Sequence, residues 1–112
     1  MIGIKSITYE TNVQKLLINV NNQIQIAYNE SSWIISEEKF FNYVSNLFNI
    51  ISNWNNEYID IKSNDSSTWK LTIIFSNNDK KEYSGRSSYH NNFEAFKRLN
   101  QKLIEEWTLW KF

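Results

Sequence analysis

Twice along this chain of 112 residues the apolar positions change period from two to about three and a half. That change limits the possible folds more than any other feature does. Alternation at period two marks a strand with one buried face, and recurrence at three and four marks a helix with one buried stripe. The first alternating stretch runs from Ile4 to Glu10, where Ile7 and Tyr9 alternate with polar neighbours, and resumes between Lys15 and Asn29. With Asn21-Asn22-Gln23 as a loop, Val20 opposes Ile24, Ile18 opposes Ile26 and Leu16 opposes Tyr28, so six apolar side chains share one face. A shorter loop would set Ile18 against Gln25 and turn the buried set to solvent, so the apolar match selects the register.

The period then lengthens. Ser36 followed by Glu37 and Glu38 has the marks of a helix start, a hydroxyl for free amides and acids in the first turn. From there to about Trp54, Phe40, Val44, Leu47, Ile51 and Trp54 form one stripe, which Phe41 and Phe48 widen. The second half repeats the order. Tyr58 to Lys62 is expected as a strand with Ile59 and Ile61 on one face, and residues 63–67 as a turn. Thr68 to Ser76 is expected as a strand burying Trp69, Leu71, Ile73 and Phe75. If Asn77-Asn78-Asp79 is a loop, Tyr83 faces Ile73 and Gly85 faces Leu71, and Gly85 marks a bulge or a close backbone approach. Asn91 and Glu94 resemble a capping box for a last helix striped by Phe93, Phe96, Leu99, Leu103 and Trp107. Glu105 and Glu106 sit badly at a helix C-terminus, which argues for continuation to Trp110 and Lys111. The expectation is one two-layer α+β domain over residues 1–112, in the order βββα-βββα, with each antiparallel meander covered by one amphipathic helix. Whether the strands join into one sheet stays open.

From Trp54 to Phe93 the chain resembles a group of small bacterial proteins with the signature W-x3-Y-x-D, D-G-x-x-W-x-L-x-I-x-F and G-x-N-x-Y-P-x-N-F. The matching residues are Trp54, Tyr58 and Asp60; then Asp65, Trp69, Leu71, Ile73 and Phe75; then Gly85, Tyr89, Asn92 and Phe93. Ser66, Ser87 and His90 depart from the signature's Gly, Asn and Pro. The resemblance implies shared architecture and carries no activity with it. In type, the chain is also similar to small phage and mobile-element inhibitors such as anti-CRISPR proteins.

Several chemistries lack their residues. Without cysteine there is no disulfide framework and no thiolate metal site, and a single histidine, His90, makes no two-histidine site. A Ser-His-Asp set is available in principle, but no G-x-S-x-G elbow occurs. Glu57, Asp60 and Asp65 lack the glycine and terminal glutamate of a calcium loop, and two distant glycines cannot write a phosphate cradle. The sequence therefore predicts no enzyme, no metal and no cofactor. Twelve basic residues balance twelve acidic ones and only Arg86 and Arg98 are arginines, which disfavours nucleic acid. With no leader or long apolar run, the expected compartment is the cytoplasm and no membrane partner is expected.

The chain is rich in aromatic residues, 16% of the total. Trp69, Phe75, Phe93, Phe96 and Trp107 fit inward stripes. Trp33, Tyr89, Trp110 and Phe112 fit none, and large rings near loops or chain ends are the usual anchors of protein interfaces. These four, with Arg86, are the candidate partner-binding residues of a non-enzymatic protein-binding module of the inhibitor or regulator kind. Two rivals stand beside it: single-stranded nucleic-acid binding by stacking on the sheet, with Lys70, Lys80, Lys81 and Arg86 supplying charge, and a homodimer paired through edge strands.

Overall fold

The computed structural model describes residues 3–59, 67–86 and 88–110, with backbone alone for 106–110. Its elements are β1 (Ile4–Thr11), β2 (Lys15–Val20), β3 (Ile24–Tyr28), β4 (Ser31–Ile35), α1 (Glu37–Ile51), β5 (Glu57–Ile59), β6 (Thr68–Phe75), β7 (Lys80–Arg86) and α2 (Phe93–Trp110). The chain is α+β, and the strands form one sheet in the order β4-β3-β2-β1-β6-β7-β5. The two halves meet at its centre, where β1 lies antiparallel to β6 with Ile7 opposite Ile73 and Tyr9 opposite Leu71. Joining there pairs backbone groups that two separate meanders would have left as open edges.

The first hairpin has the expected register, Leu16 with Tyr28, Ile18 with Ile26 and Val20 with Ile24. Three other expectations are corrected. The order is ββββα-βββα, because Ser31 to Ile35 forms an additional edge strand. The chain enters it through a tight turn at Asn29, which adopts a positive φ of 54°. The second group of strands is not a meander, since β5 runs parallel to β7 and is separated from β6 by it. Register carries the third correction: Leu71 opposes Tyr83 and Trp69 opposes Gly85. The last cross-strand pair is Ile74 with Lys80, so the loop is longer than expected. Asn78 takes a φ of 71° and donates from its backbone N–H to the Phe75 carbonyl at 2.8 Å. The displacement is by an even number of residues, so the buried set stays on its face.

Both helices cover the same side of this sheet. Ser36 caps α1 by accepting from Lys39 N at 3.2 Å, and α1 buries Phe40, Tyr43, Leu47 and Ile51, with Trp54 buried just beyond its end. Phe41, expected to widen the stripe, is 63% exposed. From α2, Phe93, Phe96 and Leu103 join the same core as Ile7, Ile18, Ile26, Leu71 and Ile73. The helix α2 reaches Trp110, and Lys111, to which it was also expected to continue, lies outside the described residues. The start of α2 is held by main-chain bonds, Phe93 N to His90 O and Ala95 N to Asn92 O, each 3.0 Å.

Register places Tyr9, Tyr28, Trp33, Tyr58, Trp69, Phe75 and Tyr83 on the helix-covered face. Side chains such as Ser6, Thr8, Leu17, Thr72, Glu82 and Ser84 occupy the other. The open face therefore carries no aromatic ring among the described strands. No helix among the described residues is long and apolar enough to cross a membrane.

Candidate partner-binding surface

At the end of the sheet where β1 turns into β2, four parts of the chain converge: the turn Thr11–Gln14, the start of β6, the end of β7 with the segment 88–92, and β5. The turn is built from side chains. Thr11 Oγ1 accepts from the backbone of Val13 and Gln14, at 3.3 and 3.2 Å. Asn12 Oδ1 reaches across to Thr68, accepting from its N–H at 2.6 Å and its hydroxyl at 3.0 Å. Asparagine suits the position because a short neutral amide can serve two donors without charge.

Beneath this end lies an aromatic core. Trp54, at the exit of α1, meets Trp69, Tyr83 and Phe96 edge to face with centroids 5.6, 5.8 and 5.4 Å away, and stacks on Phe93 at 5.7 Å. Edge-to-face pairs place positive ring edges on negative faces and add to the gain from burial. The indole N–H of Trp54 donates to Asn92 Oδ1 at 2.6 Å, and Asn92 Nδ2 donates to the Ile50 carbonyl at 2.7 Å. Those two bonds determine which way the amide lies. His90 Nδ1, 2.5 Å from Asn92 Oδ1, therefore carries the proton and donates. The longer approach of Asn92 N to the same nitrogen, 3.2 Å, then finds no lone pair and is not a hydrogen bond. His90 stacks on Trp54 at 6.1 Å, and its ring is positioned as a structural tie.

Gly85 has a specific reason to be glycine. Trp69, opposite it on β6, donates from Nε1 to the Ser88 carbonyl at 2.9 Å, which draws the indole across β7. A Cβ at position 85 would land on Trp69 Nε1, and lie 2.5 Å from Ser88 O and 2.6 Å from Trp69 Cε2. Tyr89 then lies flat over the outer side of Trp69, centroids 6.2 Å apart and 16° between planes, and touches Phe93 at 4.7 Å. Its hydroxyl is 3.3 Å from Ser67 Oγ. Burial, and then the neighbouring Tyr89, push the phenol of Tyr9 up to about 12.

Two open grooves meet here at Thr11, Thr68 and Trp69. One, of about 620 Å³, runs between Val13 and Tyr89, and the other, of about 430 Å³, between Ile59 and Arg86. Among the described residues, three of the five exposed large apolar ones stand on their rims: Val13 at 87%, Ile59 at 54% and Tyr89 at 46% exposure.

The five expected partner-binding residues are thus divided. Tyr89 and Arg86 are exposed and stand at this end of the sheet. Trp33 is not available: it is buried at 7% exposure, on β4 opposite Ile26, because the strand around it turns its ring into the core. Trp110 belongs to α2 by its backbone, its side chain lies outside the described residues, and so does all of Phe112. Asp60, Asp65 and Ser87 also lie outside them.

Val13 and Ile59 escaped the sequence reading. Ile59 was expected to point inward, but Tyr58 takes that place, aligned with Gly85 and Trp69, and Ile59 faces out. Val13 had a legible signal, a lone apolar residue between Asn12 and Gln14 in a turn too short to bury it. Among the described residues no group of three His, Asp or Glu side chains is placed to hold a metal. Compared with protein-family models, curated proteins and solved structures, the chain finds no match.

Proposed function

We propose that this domain is a non-enzymatic binding module that grips a protein partner with the turn end of its sheet. The carrying observation is the gathering of Val13, Ile59 and Tyr89, with Arg86 between the last two in sequence, around two adjoining grooves. Exposed apolar side chains cost free energy in water, and a cluster of them with an aromatic and an arginine has the composition of an interface hot spot. Tyr89 is well suited to the role because Trp69 and Phe93 already hold its ring, so little side-chain entropy remains to be lost on binding. Occlusion of a partner's surface, in the manner of small inhibitors, requires nothing further from the chain.

Two observations weigh against the nucleic-acid reading. Stacking on the sheet needs rings on the open face, and the described strands turn all theirs to the helices. Two of the expected cations are also engaged, Lys80 at 2.6 Å and Lys70 at 3.5 Å from Glu82 Oε1.

A photo-crosslinking amino acid placed in turn at Val13, Ile59 and Tyr89 tests the proposal against the same probe at Phe41 and Ile34, which are also exposed. The expected result is one protein adduct shared by the three turn-end positions, and its loss from the Val13 and Ile59 probes when Tyr89→Ala is added. An adduct pattern identical at all five positions, or none at the turn end, would reject the surface.

A further inference from the structure

β4 forms one edge of the sheet, and among the described residues no strand pairs with its outer side. Which backbone groups point that way follows from the hairpin that leads into it. Tyr28 and Ser31 oppose each other across the two-residue turn of Asn29 and Glu30, and the pair that closes such a turn is a hydrogen-bonded one. Bonded and non-bonded pairs alternate along an antiparallel ladder, so Trp33 and Ile35 also turn their N–H and C=O groups towards β3. Ser32 and Ile34 turn theirs outward, two donors and two acceptors in a row, and neither residue makes a hydrogen bond elsewhere among the described residues.

The devices that keep edge strands from pairing with other chains are a lysine, a proline, a bulge or extreme shortness. β4 has five residues with no charge and no proline, and its register against β3 is unbroken. The strand at the opposite edge, β5, has three residues. Ile34 adds an apolar side chain, 56% exposed, on the face turned away from the helices. Such a row of backbone groups with an apolar side chain beside it is what the backbone of another strand complements.

Charge selects which strand. Glu30 stands at one end of β4, with Glu37 and Glu38 at the other; all three are exposed, and none is in an ion pair among the described residues. Lys39 is the only cation between Asn29 and Phe41. The N-terminus of α1 favours Glu37 and Glu38 where they are, but gives no reason for Glu30. A second copy of this chain is disfavoured. Antiparallel self-pairing over the whole of β4 sets Ser31 opposite Ile35, which brings Glu30 of one copy beside Glu37 of the other at both ends.

We infer that the β4 edge takes an extended segment of another protein as an additional strand, with small or apolar residues in its middle and lysine or arginine at both ends. Main-chain bonds to Ser32 and Ile34 supply the attachment, and the flanking carboxylates sort the partners. This edge lies across the sheet from β5 and Ile59, so the inference does not rest on the turn-end surface. A crosslinking probe at Ile34 would then capture a protein different from the one shared by Val13, Ile59 and Tyr89.

The test titrates the intact protein with the end-capped heptapeptide Lys-Thr-Val-Thr-Val-Thr-Lys, followed by nitrogen-proton NMR. The amide signals of Ser32 and Ile34 are expected to move downfield and to exchange more slowly with solvent. The same peptide with glutamate at both ends should bind about tenfold more weakly at low salt, because attraction at each end becomes repulsion, and the difference should shrink at high salt. Ile34→Lys places a charge on the edge at an exposed position and should abolish binding of the lysine-ended peptide. A peptide methylated on all its central backbone nitrogens should also fail to bind, a comparison that needs no variant to fold. Signals of Ser32 and Ile34 that stay still in millimolar lysine-ended peptide would overturn the inference, as would equal affinity for the two peptides at low salt or binding that survives methylation. So would light scattering that reports a dimer of the concentrated protein together with protection of the same two amides.

Discussion

Replacing Gly85 by alanine is the sharpest test of the aromatic core, because the sign of the effect is at stake. In an ordinary strand the change would stabilise the protein by about 0.5–1 kcal/mol, since glycine loses more backbone freedom on folding. Here the new methyl group would fall on the Trp69 indole and 2.5 Å from the Ser88 carbonyl, which is main chain and cannot swing away. Overpacking of this kind costs about 1–3 kcal/mol. Pushing the indole aside also breaks its 2.9 Å bond to Ser88 O and strands a buried donor, for about 1–3 kcal/mol more. The net expectation is a loss of about 3 kcal/mol, or a fall in Tm of about 12 °C for a domain of this size. Urea unfolding followed by tryptophan fluorescence measures the first, and the Trp69 indole N–H signal in NMR should leave its hydrogen-bonded position. Gly3→Ala is the control, since its Cβ would meet only the mobile end of Ser76, Oγ at 2.9 Å. A Gly85→Ala protein as stable as the native one, or more stable, would refute the close approach.

Three further outcomes are expected. Tyr43→Phe removes the hydroxyl that Asn100 Oδ1 accepts and should cost about 1–3 kcal/mol in urea unfolding; a loss below about 0.5 kcal/mol would mean the buried bond is not made. Ser36→Ala removes the cap on α1 and should cost about 1 kcal/mol, while Ser36→Asp, which retains an acceptor, should recover most of it. Burial raises the phenols of Tyr9, to about 12, and of Tyr43 further, so the folded state holds protons that the unfolded chain releases near 10. Their contribution is complete below pH 10 and is lost as pH rises through the folded-state values, so stability should fall steadily from about pH 10 to 12. A stability profile that is flat across that window would contradict the burial of both rings.

Individual elements show where sequence reading reaches and where it stops. The first hairpin could be paired residue by residue because only one register puts Leu16, Ile18, Val20, Ile24, Ile26 and Tyr28 on a common face. In the second hairpin two registers separated by two residues satisfy the same alternation, and the left-handed turn at Asn78 made the choice. The strand around Trp33 was missed because Ser31 and Ser32 on one side and adjacent isoleucines on the other blur its alternation. Of the binding candidates, Tyr89 was legible as a ring outside every stripe, whereas Ile59 depended on a strand three residues long whose facing its own sequence does not specify.

Local pattern alone determined the α+β class and the two amphipathic helices with the Ser36 cap, because side-chain period and capping act over a few residues of contiguous chain. Tertiary structure alone decided that β1 joins β6, that β5 lies parallel beside β7 and that Trp33 is core. Each of these depends on groups far apart in sequence competing for the same buried space, a competition that no window along the chain contains.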